Sequence, residues 1–175
     1  MTARRSLNAF GAAACAGMLG YAFYAEKVLH LEPCPLCMFQ RVGVAALGAV
    51  FLLAAILDPV SRGGARVHAA LIALAAAFPA YVAGRHVYIQ TLPAGSVPSC
   101  GATLDYMLEV FPLLEVVKKV LTGGGECARI DWSFLGLSMP AWVLISVLAL
   151  AAVGLFANLR SGAPSRFWQV PSSSS

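Results

Sequence analysis

Cys34-Pro35-Leu36-Cys37-Met38-Phe39-Gln40-Arg41 lies between two apolar runs, Leu7–Ala25 and Val42–Leu57. Two cysteines with two residues between them can close a small disulfide ring, and such pairs are commonly redox-active. Arg41 follows Cys37 by four residues, one helical turn if the helix begins near Met38. Working outward, two more apolar runs follow, Val67–Ala83 and Pro140–Leu159. The chain has 175 residues, 59% of them hydrophobic and 11% charged. A soluble domain carries about 25% charged residues, so this composition points to a membrane protein.

A spanning helix needs about 20 apolar residues. The first and last runs reach that length unaided. The second reaches it if it begins near Met38. The third reaches it if it continues past Arg85 toward Tyr88, and Pro79 inside it predicts a kink. The expected fold is an all-α membrane protein, a four-helix transmembrane bundle forming one domain over residues 1–160. Its spans fall at about 7–28, 38–57, 67–88 and 139–159, with loops at about 29–37 and 89–138. Residues 161–175, ending in four serines, read as a disordered tail. The first run is too long for a signal-peptide core of about 7–15 residues, and a second span follows at once.

Four spans put both termini on one side. Six arginines flank the spans there (Arg4, Arg5, Arg62, Arg66, Arg160 and Arg166) against one acid, Asp58. The opposite side has six cations against seven acids. Excess Arg and Lys marks the cytoplasmic side, so both termini are expected inside and the cysteine loops outside. The basic residues are dispersed and there is no phosphate-binding loop, so nucleic acid is not an expected partner.

The 89–138 segment opens with a Pro/Gly-broken arm, Leu92–Cys100. It then shows a helical pattern over Leu104–Leu121, interrupted at Pro112. Leu113, Leu114, Val116, Val117, Val120 and Leu121 alternate with Glu115, Lys118 and Lys119, which predicts a short amphipathic interfacial helix. A helix packed on the protein's own loops is the alternative. Gly123-Gly124-Gly125 reads as a flexible turn, with Cys127 on a mobile stretch behind it. Trp132 and Trp142 suit an interfacial aromatic belt, and Pro140 suits the first turn of the last span.

Cys34, Cys37, Cys100 and Cys127 all fall on the exterior side, where disulfides persist. Three readings compete: two catalytic disulfides, a zinc site, or structural bridges. Zinc sites favour clustered ligand pairs, and Cys100 and Cys127 are isolated. A CxxC ring removes little chain entropy, so it makes a poor structural staple. The spacing favours redox chemistry, with Arg41 placed to stabilise a Cys37 thiolate. An interfacial anchor is the plainer role for Arg41. Arg85 and His86, ending the third span on the same side, could line a polar pocket with it. Cys15, among alanines in the first span, reads as a small packing residue.

The chain resembles the disulfide bond formation protein B (DsbB) family of bacterial inner-membrane thiol oxidases. The resemblance rests on Pro33-Cys34-Pro35-Leu36-Cys37 with Gln40-Arg41, and on Gly84-Arg85-His86-Val87-Tyr88. It rests also on Val97-Pro98-Ser99-Cys100-Gly101, and on Cys127 followed by Trp132–Trp142. It implies that Cys34, Cys37, Cys100 and Cys127 are catalytic, that Cys37, Arg41 and His86 contact a bound quinone (ubiquinone or menaquinone), and that no metal is needed. The implied partner is a periplasmic DsbA-like thioredoxin-fold protein. Its dithiol would attack a Cys100–Cys127 disulfide at Cys100, and the freed Cys127 would attack Cys34. The expected location is the inner membrane, with the termini cytoplasmic and the redox cysteines periplasmic. Gln90-Thr91 stands where some members carry a further His. Two alternatives differ in class or order: a vitamin K epoxide reductase-type enzyme, whose CxxC follows the loop pair, and a non-enzymatic scaffold with structural disulfides.

Overall fold

The computed structural model describes residues 3–58, 61–93 and 104–160. Four long helices dominate: α1 (Ala3–Lys27), α2 (Pro35–Leu57), α3 (Arg62–Gln90) and α6 (Met139–Arg160). All four are long and apolar enough to cross a membrane. α1 packs on α2, α2 on α3, α3 on α6 and α6 back on α1, so the bundle closes on itself.

Antiparallel order is visible at both ends. At one end Arg4 of α1 pairs with Asp58 after α2, its Nε donating to Oδ1 at 2.7 Å. Asn8 of α1 meets Asn158 of α6 there, the Asn158 amide donating to Asn8 at 3.0 Å. Both asparagines are buried and mutually satisfied, as a polar pair inside a bundle must be. At the other end Arg41 of α2 pairs with Glu26 of α1, and Ser138 donates to Gln90 at the end of α3 over 2.6 Å.

Local chemistry sets the helix starts. Ser61 caps α3, its Oγ accepting from the Gly64 N–H at 3.1 Å. Pro35 occupies the first turn of α2, where its missing N–H costs nothing, and Cys34 is the cap. α2 therefore begins three residues before the expected start at 38, which brings Cys37 into its first turn. α3 also overruns its expected limits of 67 and 88, and it continues through Pro79.

Small residues let the helices approach. A Cβ on Gly11 of α1 or on Gly154 of α6 would lie 2.7 Å from the Phe51 ring. Phe51 of α2 is fully buried, and it packs in one core cluster with Leu47, Ile72 and Val147. This is the close, small-residue packing that serves in lipid, where apolar burial by itself drives little association. On the outside, Leu52, Leu53, Ile56, Leu71, Leu74, Leu148 and Phe156 are exposed. That apolar mantle suits hydrocarbon rather than water.

Beyond α3 the chain forms two short helices flanking Pro112, α4 (Leu104–Val110) and α5 (Leu113–Thr122). The helical pattern over Leu104–Leu121 thus breaks at Pro112, as expected where proline removes an N–H. Val116 and Val120 of α5 are buried with Leu36, Val82, Ile89 and Cys127, while Leu113 and Leu114 point away from the protein. One face of α5 is core and the other is free. Arg85 of α3 ties α5 in place, donating to the carbonyls of Leu121 at 3.2 Å and Thr122 at 3.1 Å. Those carbonyls have no intrahelical partner, so the guanidinium caps the helix.

Gly123 ends α5 at φ 80°, and a 3₁₀ turn follows at Gly125–Ala128. A two-stranded hairpin then pairs β1 (Ser133–Phe134) with β2 (Leu137–Ser138). Its two central residues, Leu135 and Gly136, both have positive φ, as the tight hairpin turn that matches strand twist requires. This hairpin adds a small β element to the all-helical expectation. Trp132 stacks on Phe134 there, and Phe134 packs tilted on Trp142, with ring centroids 6.2 and 6.1 Å apart. The expected disordered tail, residues 161–175, lies outside the described residues.

Candidate active site at the cysteine end of the bundle

Three elements bring the chemistry together. The first turn of α2 carries Cys37, with Cys34 as its cap. α3 carries His86 one turn before its end. The 3₁₀ turn carries Cys127. The two CxxC sulfurs are free thiols 3.2 Å apart, and Cys34 Sγ also accepts from the Cys37 backbone N–H at 3.4 Å. Both side chains are half-buried.

His86 is only 3% exposed and sits among these sulfurs. Its Nε2 lies 3.8 Å from Cys34 Sγ, and its Nδ1 lies 4.0 Å from Cys37 Sγ. Gln40 approaches Nδ1 at 3.0 Å through its amide nitrogen, and Nε2 lies 3.1 Å from the Cys127 carbonyl oxygen. An amide N–H can only donate and a carbonyl can only accept, so this network places the ring proton on Nε2. Nδ1 keeps its lone pair toward Gln40 and Cys37.

Cys127 differs from its expected setting. It was expected on a mobile stretch, yet it is 2% exposed, beneath α5 and against Leu36. Its N–H donates to the Gly124 carbonyl at 2.9 Å. The reason is the 3₁₀ turn, which folds the Gly-rich segment back on α3. The Cys127 and Cys34 sulfurs share a hydrogen bond. The proton stays on Cys34, whose thiol is pushed far above the ordinary range by that bond first, then by Cys37 and burial. The same bond pulls Cys127 down to about 6 against the opposing effect of burial. Anionic character therefore collects on the sulfur that faces Cys34.

Arg41 also departs from its expected setting. It was placed to stabilise Cys37, but its guanidinium pairs with Glu26, donates to the Ala22 carbonyl at 3.0 Å and lies over the Phe23 ring. The reason is reach: the long side chain finds a carboxylate and a carbonyl on α1, a stronger match than a thiol. The neighbour of the CxxC sulfurs is His86. Cys100 lies outside the described residues.

A cavity of about 650 Å³ opens beside the cluster. Met18, Leu19, Val44 and Val143 form apolar walls, and Cys37, Gln40, Arg41, His86 and Gln90 supply polar groups. A mainly apolar pocket with a few convergent donors is the usual form of a small-molecule site. Gln40 was read only as part of a motif, yet it holds the His86 ring. Its spacing, three residues after Cys37 on one helix, was the available signal. The Gln90–Ser138 contact, which ties the cavity-lining Gln90 to the strand before α6, had no local signal, because its partners are far apart in sequence.

Comparison with known proteins agrees with this site. A family model described as "Disulfide bond formation protein DsbB" matches residues 4–157. Proteins named "Disulfide bond formation protein B" are similar over most of their length. The one from Marinobacter nauticus is 49% identical over 155 residues, covering 88% of this chain and 90% of the relative. The one from Chromobacterium violaceum is 52% identical over 134 residues, covering 77% and 80%. The one from Xanthomonas campestris pv. campestris is 42% identical over 158 residues, covering 90% and 92%.

Proposed function

The chain belongs to the disulfide bond formation protein DsbB family, and on that footing we propose that it is a membrane thiol oxidase. It reoxidises a DsbA-type dithiol protein and delivers the electrons to a membrane quinone. The observation that carries the proposal is the convergence of Cys34, Cys37, Cys127 and His86 at one end of a membrane bundle, beside an apolar cavity.

The relay balances as follows. One thiolate of the partner attacks the Cys100–Cys127 disulfide at Cys100, forming a mixed disulfide and releasing Cys127 as thiolate. Cys127 attacks Cys34, breaking the Cys34–Cys37 bond and releasing Cys37. The partner's second thiolate resolves the mixed disulfide, so the partner leaves oxidised and Cys100 is freed. Cys100 then attacks Cys127, restoring their disulfide and returning Cys34 as a thiol. Two electrons and two protons leave the Cys34–Cys37 pair as its disulfide re-forms. Thiol exchange runs through a thiolate attacking a disulfide sulfur, and the burial of Cys127 in one cluster with Cys34 supports that step.

A quinone supplies a two-electron, two-proton acceptor with more oxidising power than dithiols alone. The cavity suits such a ring, with apolar walls and Gln40, Arg41, His86 and Gln90 as polar contacts. His86 is held by Gln40 and the Cys127 carbonyl, so it can hold or pass a proton beside Cys37. The Arg41–Glu26 pair fixes α1 against α2 at the cavity wall. The arginine distribution supports termini in the cytoplasm and cysteines in the periplasm of a bacterial inner membrane.

The test uses purified full-length protein, a reduced thioredoxin-fold dithiol protein, and ubiquinone or menaquinone in separate arms. Quinone absorbance should fall only when thiol, quinone and enzyme are together, and Cys37→Ala should abolish the loss. A partner variant lacking its second, resolving thiol should stay trapped as a partner–Cys100 adduct on a non-reducing gel. A scaffold with structural disulfides would give no thiol-dependent absorbance change in either arm.

A further inference from the structure

The reduced cluster has a second chemical capacity, because its ligand atoms already stand at metal-binding distances. A sulfur of Cys34, a sulfur of Cys37 and a ring nitrogen of His86 lie within 4.8 Å of one another. In a tetrahedral zinc site the Zn–S bonds are about 2.3 Å, so neighbouring sulfurs stand about 3.8 Å apart. The two thiols are 3.2 Å apart, so they need to open by only about half an ångström to reach that geometry.

The histidine is arranged as a ligand would be. A metal-bound imidazole usually donates its other ring N–H to a carboxylate or backbone carbonyl. Nε2 already faces the Cys127 carbonyl at 3.1 Å, and Nδ1 turns its lone pair to Gln40 and Cys37. A cation has only to displace the Gln40 amide. Charge balance favours the complex too: two thiolates neutralise a divalent cation in a site of low polarity. Glu26, one of the carboxylates on the cavity wall, is already engaged by Arg41.

We propose that the reduced enzyme binds one thiophilic divalent cation, of the Zn²⁺ or Cd²⁺ type, through Cys34, Cys37 and His86. Binding displaces the two thiol protons to solvent and moves no electrons. The cation occupies the sulfur lone pairs needed for disulfide formation, so it arrests the enzyme in its reduced form. Oxidation to the Cys34–Cys37 disulfide removes two ligands and releases it. The site is therefore a redox-gated metal trap, open to inhibition when electron acceptor runs short.

The experiment reads binding directly, without partner or quinone, so its failure leaves the oxidase reading standing and the reverse also holds. Full-length Cys100→Ser protein, reduced under anaerobic conditions, is titrated with Cd²⁺, and the ultraviolet cadmium–thiolate absorption is followed. Zn²⁺ affinity is measured in parallel by competition with a chromophoric chelator. One equivalent should bind, and the same sample after oxidation should bind none. Cys37→Ser should abolish the absorption, and His86→Ala should weaken binding about tenfold or more. Absence of uptake by the reduced protein overturns the proposal. So does equal uptake by the oxidised protein or by Cys37→Ser. Full affinity in His86→Ala overturns the ligand set.

Discussion

At the scale of single residues, a shared proton decides which sulfur of the reduced site carries the charge. Cys34 and Cys127 divide one hydrogen bond, which leaves Cys127 down at about 6 and Cys34 far above the ordinary thiol range. For a lowered thiol the reactive thiolate exists above the shifted value and is lost as pH falls through it. In reduced Cys100→Ser protein, alkylation of Cys127 by a small uncharged reagent, followed by mass spectrometry, should therefore show a midpoint near pH 6. In Cys34→Ala the bond is gone, so the midpoint should move up toward the ordinary value of about 8.5. An unchanged midpoint in that variant would refute the shared-proton account. Arg41 acts through α1 rather than through sulfur. It makes two contacts there, with Glu26 and with the Ala22 carbonyl. Lysine can keep the ion pair but cannot match the planar fork that serves both. Arg41→Lys should raise the quinone KM several-fold with kcat little changed, and Glu26→Gln should reproduce that pattern. A fall in kcat for Arg41→Lys with normal KM and normal Glu26→Gln kinetics would point back to direct action on Cys37.

At the scale of elements, the lid formed by α5 and the 3₁₀ turn places Cys127. Gly123 joins the two at φ 80°, and a Cβ there would meet the Ile89 side chain at 2.2 Å. Gly123→Ala therefore combines a left-handed backbone penalty of about 1–2 kcal/mol with a steric clash of about 1–3 kcal/mol. The variant should loosen the lid, speed alkylation of Cys127 and slow the relay while the bundle stays folded. Gly136 supplies the control, since its φ is 79° but a Cβ would meet nothing within 4 Å. Gly136→Ala should cost about 1 kcal/mol and leave Cys127 as protected as before. Equal alkylation rates in the two variants would argue against the lid. α5 was legible as amphipathic from its apolar residues interleaved with Glu115, Lys118 and Lys119. That Val116 and Val120 cover the cysteines was not, because their contacts lie on α2 and α3.

At the scale of the molecule, the bundle is a membrane-spanning frame holding a redox site at one end. Phe51 is its central packing element, seated between Gly11 and Gly154. Phe51→Ala should lower stability by about 3 kcal/mol, read as a lower unfolding midpoint in detergent. Orientation is a separate expectation, drawn from the arginines. In a background with the native cysteines replaced by Ser, an impermeant thiol reagent applied to intact cells should label Lys118→Cys and miss Ser61→Cys. The reverse pattern would invert the topology. The sequence by itself determined the class of this protein, four apolar segments with a CxxC between the first two. Hydrophobic length and charge bias are local properties that a bilayer reads directly. The tertiary structure decided the neighbours of the cysteines. His86 and Cys37 are 49 residues apart, and His86 and Cys127 are 41 apart. Whether such groups touch depends on helix rotation and on how a loop folds back, which are settled by packing between elements and not by the pattern within any one of them. For the same reason Arg41, one turn from Cys37 along its own helix, turned instead to a carboxylate on another.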